Sequence, residues 1–185
     1  LTDQFLVKNK KKTLKILNEN NFTSEECVLI IRTFLSKIKR ILYDHCKSHL
    51  ESRLSNYKNL SDSLYDSLSL ETKSSAGDKH ETARAVIQLE REKIGEQIKK
   101  VEKDYKLLTK ISQNKSYSNV IGLGSVIYTQ ENQYYLAVSS TPLNYGSKTF
   151  YCISSKSPIG LLLLNKKVGG IFEFKGKKNL IIEVL

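Results

Sequence analysis

Two carboxylates in a short polar segment, Asp78 and Glu81, are the side chains whose type and spacing best suit chemistry. They lie three residues apart in the stretch SSAGDKHE, residues 74–81. The stretch falls between two long segments with a helical pattern, so it is expected to be the loop at the tip of a helical hairpin. Such a loop needs only polar residues and a glycine, so an acidic pair there is unusual. Such a tip can deliver carboxylates into a site on another macromolecule. The alternative is a solvated loop in which Asp78 is the N-cap of the helix that follows.

Two long segments with apolar residues at intervals of three and four flank the acidic tip, which spans residues 74–82. Each segment has about 30 residues and would be roughly 45 Å long as a helix. Together they predict an antiparallel coiled-coil hairpin over residues 41–112. The recurring residues are Ile41 or Leu42, His45, Leu50, Leu54, Tyr57, Leu60, Leu64 and Leu68 before the tip, and Ala83, Ile87, Ile94, Ile98, Val101, Tyr105, Leu108 and Ile111 after it.

Residues 1–40 are predicted to form a basic and partly helical N-terminal extension. A lysine-rich run, KNKKK, occupies residues 8–12. Thr23 and Glu26 have the spacing of a capping box, in which each side chain bonds the backbone amide of the other residue. A helix is expected to follow this box, because apolar residues then recur at helical spacing.

The pattern changes at residues 113–119, which are predicted to be a short polar linker. Residues 120–185 contain β-rich runs such as QYYLAVSS and KTFYCISS, separated by turn residues that include the segment 142–147. This part of the chain predicts a small antiparallel β domain with about four to six strands. The fold class is therefore α+β, with a helical hairpin followed by a β domain.

A short helix is predicted where residues 157–164 read SPIGLLLL. Ser157 would be its cap and Pro158 its first residue, because proline has no amide proton to leave unpaired in the first turn. Leu161 to Leu164 are expected to lie mostly in the core.

Composition narrows the class of partner and compartment. The formal net charge of +11 indicates an acidic partner, either nucleic acid or an acidic protein surface. The cysteines Cys27, Cys46 and Cys152 are widely spaced and include no CxxC pair, which favours a reducing cytosol over a disulfide framework or a zinc ribbon. No apolar run is long enough to span a bilayer, so no membrane association is predicted.

His45, Cys46 and His49 raise the alternative of a metal site, because the two histidines are four residues apart. A third ligand of suitable geometry and the glutamate of an HExxH motif are missing. Packing and surface roles are therefore favoured for these residues. No self-contained active site is visible, and the chain is predicted not to be an enzyme.

Two stretches resemble the Gre family of bacterial transcription elongation factors. The tip, Gly77 to Glu81 followed by Thr82 and Ala83, is similar to the family's GDxxEN segment. Residues 153–166, which read ISSKSPIGLLLLNK, are similar to its ISxxSPI(A/G)xxLIGK stretch. The Gre-like proteins of Bacteroidetes share the SSAGDKHET tip. The resemblance covers roughly residues 41–185 and implies a coiled coil followed by an FKBP-like β domain.

The resemblance also implies a function in the cytoplasm, on transcribing RNA polymerase. The family's C-terminal domain docks on the largest subunit at the rim of the secondary channel, and the matching docking residues here are Ser157, Pro158, Ile159 and Gly160. Asp78 and Glu81 would reach the nascent RNA 3′ end and help hold the second Mg²⁺, which they would share with the polymerase. Transcript cleavage in a backtracked complex would then be stimulated. Carboxylates three residues apart share one side of a helical turn, and their oxygens suit this hard cation.

The sequence departs from the family pattern at two places. Arg84 and its neighbours replace the family's Asn-Ala-Glu-Tyr after the second acid, which puts a cation near the carboxylates. Asn165 replaces a glycine before the final lysine of the second stretch. Two alternatives stay open: a regulator of the same channel that does not cleave, and a coiled-coil adaptor for another protein partner. A hairpin formed within one chain fits a monomer.

Overall fold

Two long helices and a six-stranded sheet make up the computed structural model, which describes residues 23–71, 78–113 and 119–185. Helix α1 spans Ser24–Glu71 and helix α2 spans Asp78–Gln113. The α+β class predicted from the sequence is confirmed. None of the helices in the described ranges is both long and apolar enough to cross a membrane.

The start of α1 is determined by two side chains at its N-terminus. The Glu26 carboxylate accepts hydrogen bonds from the Thr23 amide, at 2.8 Å, and from the Thr23 hydroxyl, at 2.9 Å. In return, the Thr23 hydroxyl oxygen accepts from the Glu26 amide at 3.3 Å. These bonds satisfy amides that have no partner within the helix, so the predicted capping box is confirmed. From there α1 continues without a break past residue 40.

The described residues divide into two compact units. One contains the residues up to Cys46 and those from Leu108 to Leu185, and therefore includes the sheet, the first part of α1 and the end of α2. The other is the helical segment Lys47–Leu107. In the first unit, buried helical residues such as Leu42 and Ile111 contribute to the interior.

Within Lys47–Leu107, α1 and α2 run antiparallel. The Tyr105 hydroxyl donates to the Glu51 carboxylate at 3.4 Å, and the Arg91 guanidinium lies over the Tyr65 ring. Pairs that advance along α1 while receding along α2 define an antiparallel hairpin, as the heptad pattern predicted. Among the residues of this segment whose burial the structure describes, the buried ones lie at predicted seam positions: Leu50, Ile94 and Val101.

Six strands form one sheet in the order β3-β4-β2-β1-β6-β5. Each neighbouring pair is antiparallel except β2 with β4, which is parallel. A short helix, α3, spans Pro158–Leu163 between β4 and β5. The strands are β1 Val126–Thr129, β2 Gln133–Ala137, β3 Leu143–Tyr145, β4 Lys148–Ser154, β5 Ile171–Phe174 and β6 Lys177–Val184.

The sheet differs from the sequence prediction in two respects. It is mixed rather than wholly antiparallel, because β4 pairs with β2 in parallel from Gln133 opposite Phe150 to Ala137 opposite Ser154. The segment 142–147, predicted as a turn, contains strand β3, which forms a hairpin with β4. Strand β3 comes between β2 and β4 in sequence. The connection through β3 returns the chain to the end of the sheet where β2 begins, so β4 runs beside β2 in the same direction.

The core of the β domain lies between the sheet and α3. Leu163 of α3 is fully buried beside residues from β1, β2, β5 and β6. Burying such an aliphatic side chain contributes about 1.5–3 kcal/mol relative to leaving it exposed. The buried cluster consists of Ile121, Ile127, Tyr134, Leu136, Ile159, Leu163, Phe172 and Ile181.

Candidate functional site

Helix α3 begins with a serine cap that is bonded in two directions. The Ser157 hydroxyl accepts a hydrogen bond from the Gly160 amide at 3.1 Å and donates to the Ser154 carbonyl at 2.6 Å. Pro158 follows as the first helical residue. The cap therefore satisfies an amide of the first turn and also holds the end of β4 against the start of α3. The predicted roles of Ser157 as cap and Pro158 as first residue are confirmed.

Gly160 permits a close approach between α3 and the end of β4. A Cβ atom at this position would lie 2.1 Å from the Ser154 carbonyl oxygen and 2.9 Å from the Ser157 hydroxyl oxygen. The first of these neighbours is backbone, so it cannot turn aside as a flexible side chain would. The hydrogen-bonded geometry of the cap consequently requires glycine at residue 160.

The four predicted docking residues differ in exposure. Ile159 and Gly160 are buried, Ser157 is half-buried, and Pro158 is exposed. Ile159 belongs to the core cluster and Gly160 contacts the Ser154 backbone, so both shape the loop from inside. Of the four, Pro158 is the most exposed and offers a partner the most direct contact.

Two leucines of α3 are exposed, contrary to the prediction that residues 161–164 lie mostly in the core. Leu161 is 63% exposed and Leu162 is 37% exposed, whereas Leu163 is fully buried. The difference follows from helical geometry, because a six-residue helix lying on a sheet can turn only one side toward it. Four consecutive leucines carry no periodicity, so these two residues could not be identified from their sequence as a possible contact surface.

Lysines flank the exposed leucines along the chain. Lys156 directly precedes the cap of α3, Lys167 follows the helix, and both are exposed. Apolar side chains bordered by cations suit a partner surface that combines apolar contacts with negative charge.

The segment after α3 is held to the start of the β domain. The backbone amide of Asn165 donates to the Ile121 carbonyl at 2.9 Å, and the backbone amide of Ile121 donates to the Lys166 carbonyl at 2.8 Å. Asn165 has φ of 65°, in the left-handed region. Asparagine is, after glycine, the residue that most readily occupies this region at a helix end. Asparagine at residue 165 therefore suits the conformation that the chain adopts there.

The acidic pair begins the second helix. Asp78 is the first residue of α2 and Glu81 lies in its first turn. The side chains of residues 70–81, and the whole of residues 72–77, lie outside the described residues, so the predicted orientation of the two carboxylates stays a prediction. Arg84, one turn further along α2 and exposed, keeps a cation close to this acidic turn.

The residues of the alternative metal site have other contacts. One ring nitrogen of His45, Nε2, lies 2.8 Å from the Thr141 carbonyl oxygen. Cys46 is buried, with its sulfur 3.8 Å from the Ser140 hydroxyl oxygen. Within the described ranges, no group of three or more His, Cys, Asp or Glu side chains could hold a metal ion.

Comparisons with known proteins are sparse. No family model matches the chain, and no curated protein matches it. Among solved structures, the crystal structure of GreA factor homolog 1 of Thermus thermophilus is similar to it at 20% sequence identity. The similarity covers 77% of this chain and 94% of that chain, with a TM-score of 0.29. A TM-score this low assigns no function.

Proposed function

We propose that the chain is a Gre-like factor that binds RNA polymerase at its secondary channel and stimulates cleavage of backtracked transcripts. The observation that carries the proposal is the position of the acidic pair. Helix α1 ends at Glu71 and α2 begins at Asp78, and the two helices are antiparallel. Asp78 and Glu81 therefore belong to the helical turn next to the end of the hairpin, where a long arm can present them.

The length of the hairpin supports this function. From Asp78 to Leu107, α2 has about 30 residues and extends roughly 45 Å at 1.5 Å per residue. A hairpin of this length separates its acidic end from its opposite end by several turns of helix. Such an arm can act at a depth that a compact domain cannot enter, which is what a site inside a channel requires.

The donor set of Asp78 and Glu81 suits a cation held jointly with a second protein. Two carboxylates provide oxygen ligands, which Mg²⁺ prefers, but they are fewer than its octahedral shell needs. A shared Mg²⁺ would stabilise negative charge on the reacting phosphate and activate the attacking water. The role of the chain is to bring the two carboxylates to that position and to hold them three residues apart on one helical turn.

The β domain would provide the docking surface. Pro158, Leu161 and Leu162 are exposed on or beside α3, between the exposed lysines Lys156 and Lys167. We assign direct contact with the polymerase to these residues. Ser157, Ile159 and Gly160 would act indirectly, because the cap, the core packing and the close approach that they provide fix the position of α3.

The proposal is tested by transcript cleavage in a stalled, backtracked RNA polymerase complex with labelled RNA. Wild type is expected to accelerate Mg²⁺-dependent shortening of the RNA. The double variant Asp78→Asn/Glu81→Gln should reduce shortening to the level of polymerase alone while binding to the polymerase is retained. The matched control, Glu90→Gln/Glu92→Gln, removes two exposed carboxylates elsewhere on α2 and should stimulate cleavage as wild type does.

Arg84 favours a second candidate function, a regulator of the same channel that does not cleave. Its guanidinium is one turn from Glu81 and can neutralise the acidic pair. If wild type binds the polymerase without shortening the RNA, and Arg84→Glu gains cleavage, this second function is correct. Failure of wild type to bind core polymerase at all would exclude both functions and favour a coiled-coil adaptor.

A further inference from the structure

Two buried thiols that are far apart in sequence meet inside the first compact unit. Cys46 belongs to α1 and Cys152 to β4. Ser140 lies between them: its hydroxyl oxygen is 3.8 Å from the Cys46 sulfur, and its amide donates to the Cys152 carbonyl at 3.4 Å. Cys152 lies opposite the buried Tyr135 in the pairing of β4 with β2, and each thiol shifts the pKa of the other. Their separation in sequence concealed this pairing.

The surroundings of the two thiols make them differ in acidity. Cys46 is fully buried, and its pKa is raised by the hydrogen bond with Cys152 and by burial. The pKa of Cys152 is lowered, chiefly because Cys46 hydrogen-bonds its sulfur. Cys152 keeps 4% of its surface exposed and Cys46 none, so Cys152 is the thiol that an oxidant reaches first and Cys46 is its partner. Tyr135 of β2 is the neighbour of Cys152 in the sheet, and burial raises the pKa of its hydroxyl.

We propose that Cys46 and Cys152 form a redox-modification site that closes into an intramolecular disulfide when the protein meets hydrogen peroxide. The Cys152 thiolate attacks one peroxide oxygen, the O–O bond breaks, and the departing oxygen leaves as water after protonation. The sulfenic acid on Cys152 is then attacked by the Cys46 sulfur, which forms the S–S bond and releases a second water. The two thiols are oxidised by two electrons and the peroxide is reduced by two. A thiol reductant reverses the reaction by thiol–disulfide exchange.

Such a bond would tie the helical part of this unit covalently to its sheet. In the reduced protein, the contact between α1 and the β domain at this point is not covalent: it consists of packing, of the contact between Cys46 and Ser140 and of the contact between His45 and Thr141. A disulfide that closes so long a loop limits the conformations of the unfolded chain and stabilises the folded one. In a reducing compartment this bond would be transient, as expected of a redox-sensing pair rather than a structural one.

The experiment uses the full chain, treated with hydrogen peroxide and then unfolded in guanidinium chloride with N-ethylmaleimide present, so that every remaining thiol is labelled. Intact mass is expected to show one maleimide rather than three, with the protein monomeric on a non-reducing gel. Trypsin should release a linked pair of peptides, ILYDHCK of residues 41–47 and TFYCISSK of residues 149–156. The oxidised protein should melt roughly 10 °C higher than the reduced protein, and dithiothreitol should remove the difference.

Single variants separate this pair from the third cysteine. Cys27→Ser should form the 46–152 link as wild type does, whereas Cys46→Ser and Cys152→Ser should both fail to form it and to gain thermal stability. Three labelled thiols after peroxide treatment, or a link that contains Cys27, would overturn the proposal. A 46–152 link that lowers the melting temperature would also overturn it, because the bond would then require a non-native arrangement.

Discussion

The Tyr105 hydroxyl donates to the Glu51 carboxylate across the hairpin, with 3.4 Å between the two oxygens. Further toward the acidic end, the Arg91 guanidinium carbon lies 5.6 Å from the centroid of the Tyr65 ring. The step from Glu51 to Tyr65 on α1 equals the step from Arg91 to Tyr105 on α2, and both equal two heptads. The helices therefore keep one register between these two contacts, which is the expected behaviour of an antiparallel coiled coil.

The contact between Tyr65 and Arg91 predicts a measurable energetic coupling between the two helices. A double-mutant cycle of Tyr65→Leu and Arg91→Ala, followed by urea unfolding, should give a coupling of about 0.5–1 kcal/mol, because the cation lies over an exposed ring. Tyr65→Leu combined with Lys103→Ala is the control and should give no coupling, since Lys103 is exposed elsewhere on α2. Additive effects in both cycles would contradict the register described for the hairpin.

Two glycines predict substitutions of opposite sign. Gly160→Ala places a methyl group against the Ser154 carbonyl oxygen and should lower the free energy of unfolding by about 1–3 kcal/mol. Gly95→Ala lies inside α2, and apart from the adjoining residues and backbone of α2 itself nothing lies within 4 Å of the added carbon, so it should raise that free energy by about 0.5–1 kcal/mol. Urea unfolding of the two variants measures both. If Gly160→Ala is as stable as wild type, α3 does not approach β4 as closely as described.

The parts of the fold that depend on local chemistry could be predicted from the sequence. The capping box at Thr23 and Glu26, and the cap at Ser157 followed by Pro158, involve residues at most three positions apart. Their geometry is fixed by the helix itself, so residue types and spacing suffice to predict it. The residues of the heptad seam were predictable as well, because apolar residues three and four positions apart lie on one side of a helix.

The non-local features could not be predicted in this way. The parallel pairing of β2 with β4 depends on which strands meet in space, and the contact of Cys46 with Ser140 joins two distant parts of the chain. The exposure of Leu161 depends on which side of α3 faces the sheet, and four consecutive leucines give no sign of it. No spacing rule predicts such contacts, because tertiary packing determines them.

The capping box predicts how the start of α1 responds to pH. Hydrogen bonds from the Thr23 amide and then from its hydroxyl lower the pKa of the Glu26 carboxyl. A lowered folded-state pKa means that the stabilisation is fully present above the ordinary carboxyl pKa and is lost as the pH falls through the lowered value. The hydrogen exchange of the Thr23 amide, followed by NMR, should therefore lose its protection in acid. Its rate, divided by the rate of an unstructured amide at the same pH, should rise as the pH falls. Glu26→Gln should abolish this pH dependence and Glu25→Gln should retain it; a dependence that survives in Glu26→Gln would contradict the box.

The exposed leucines of α3 predict a separation of binding from stability, which rests on the proposed function. Leu161→Ser/Leu162→Ser should weaken binding to RNA polymerase by at least about tenfold, a loss of roughly 1.4 kcal/mol, because apolar surface would no longer be buried in the complex. Its unfolding free energy should fall by less than that of a variant at the fully buried Leu163, since Leu161 is 63% and Leu162 is 37% exposed.

Leu163→Ala is the matched control for that prediction. Its side chain is fully buried, so its removal should cost about 2–5 kcal/mol of unfolding free energy. At temperatures where this variant remains folded, its affinity for the polymerase should match that of wild type, because Leu163 presents no surface to a partner. Affinity measured by titrating labelled factor against core polymerase, together with urea unfolding, distinguishes the two effects. Unchanged affinity of the Leu161→Ser/Leu162→Ser variant would exclude this face of α3 as the docking surface. The role of Asp78 and Glu81 would still be decided by the cleavage assay.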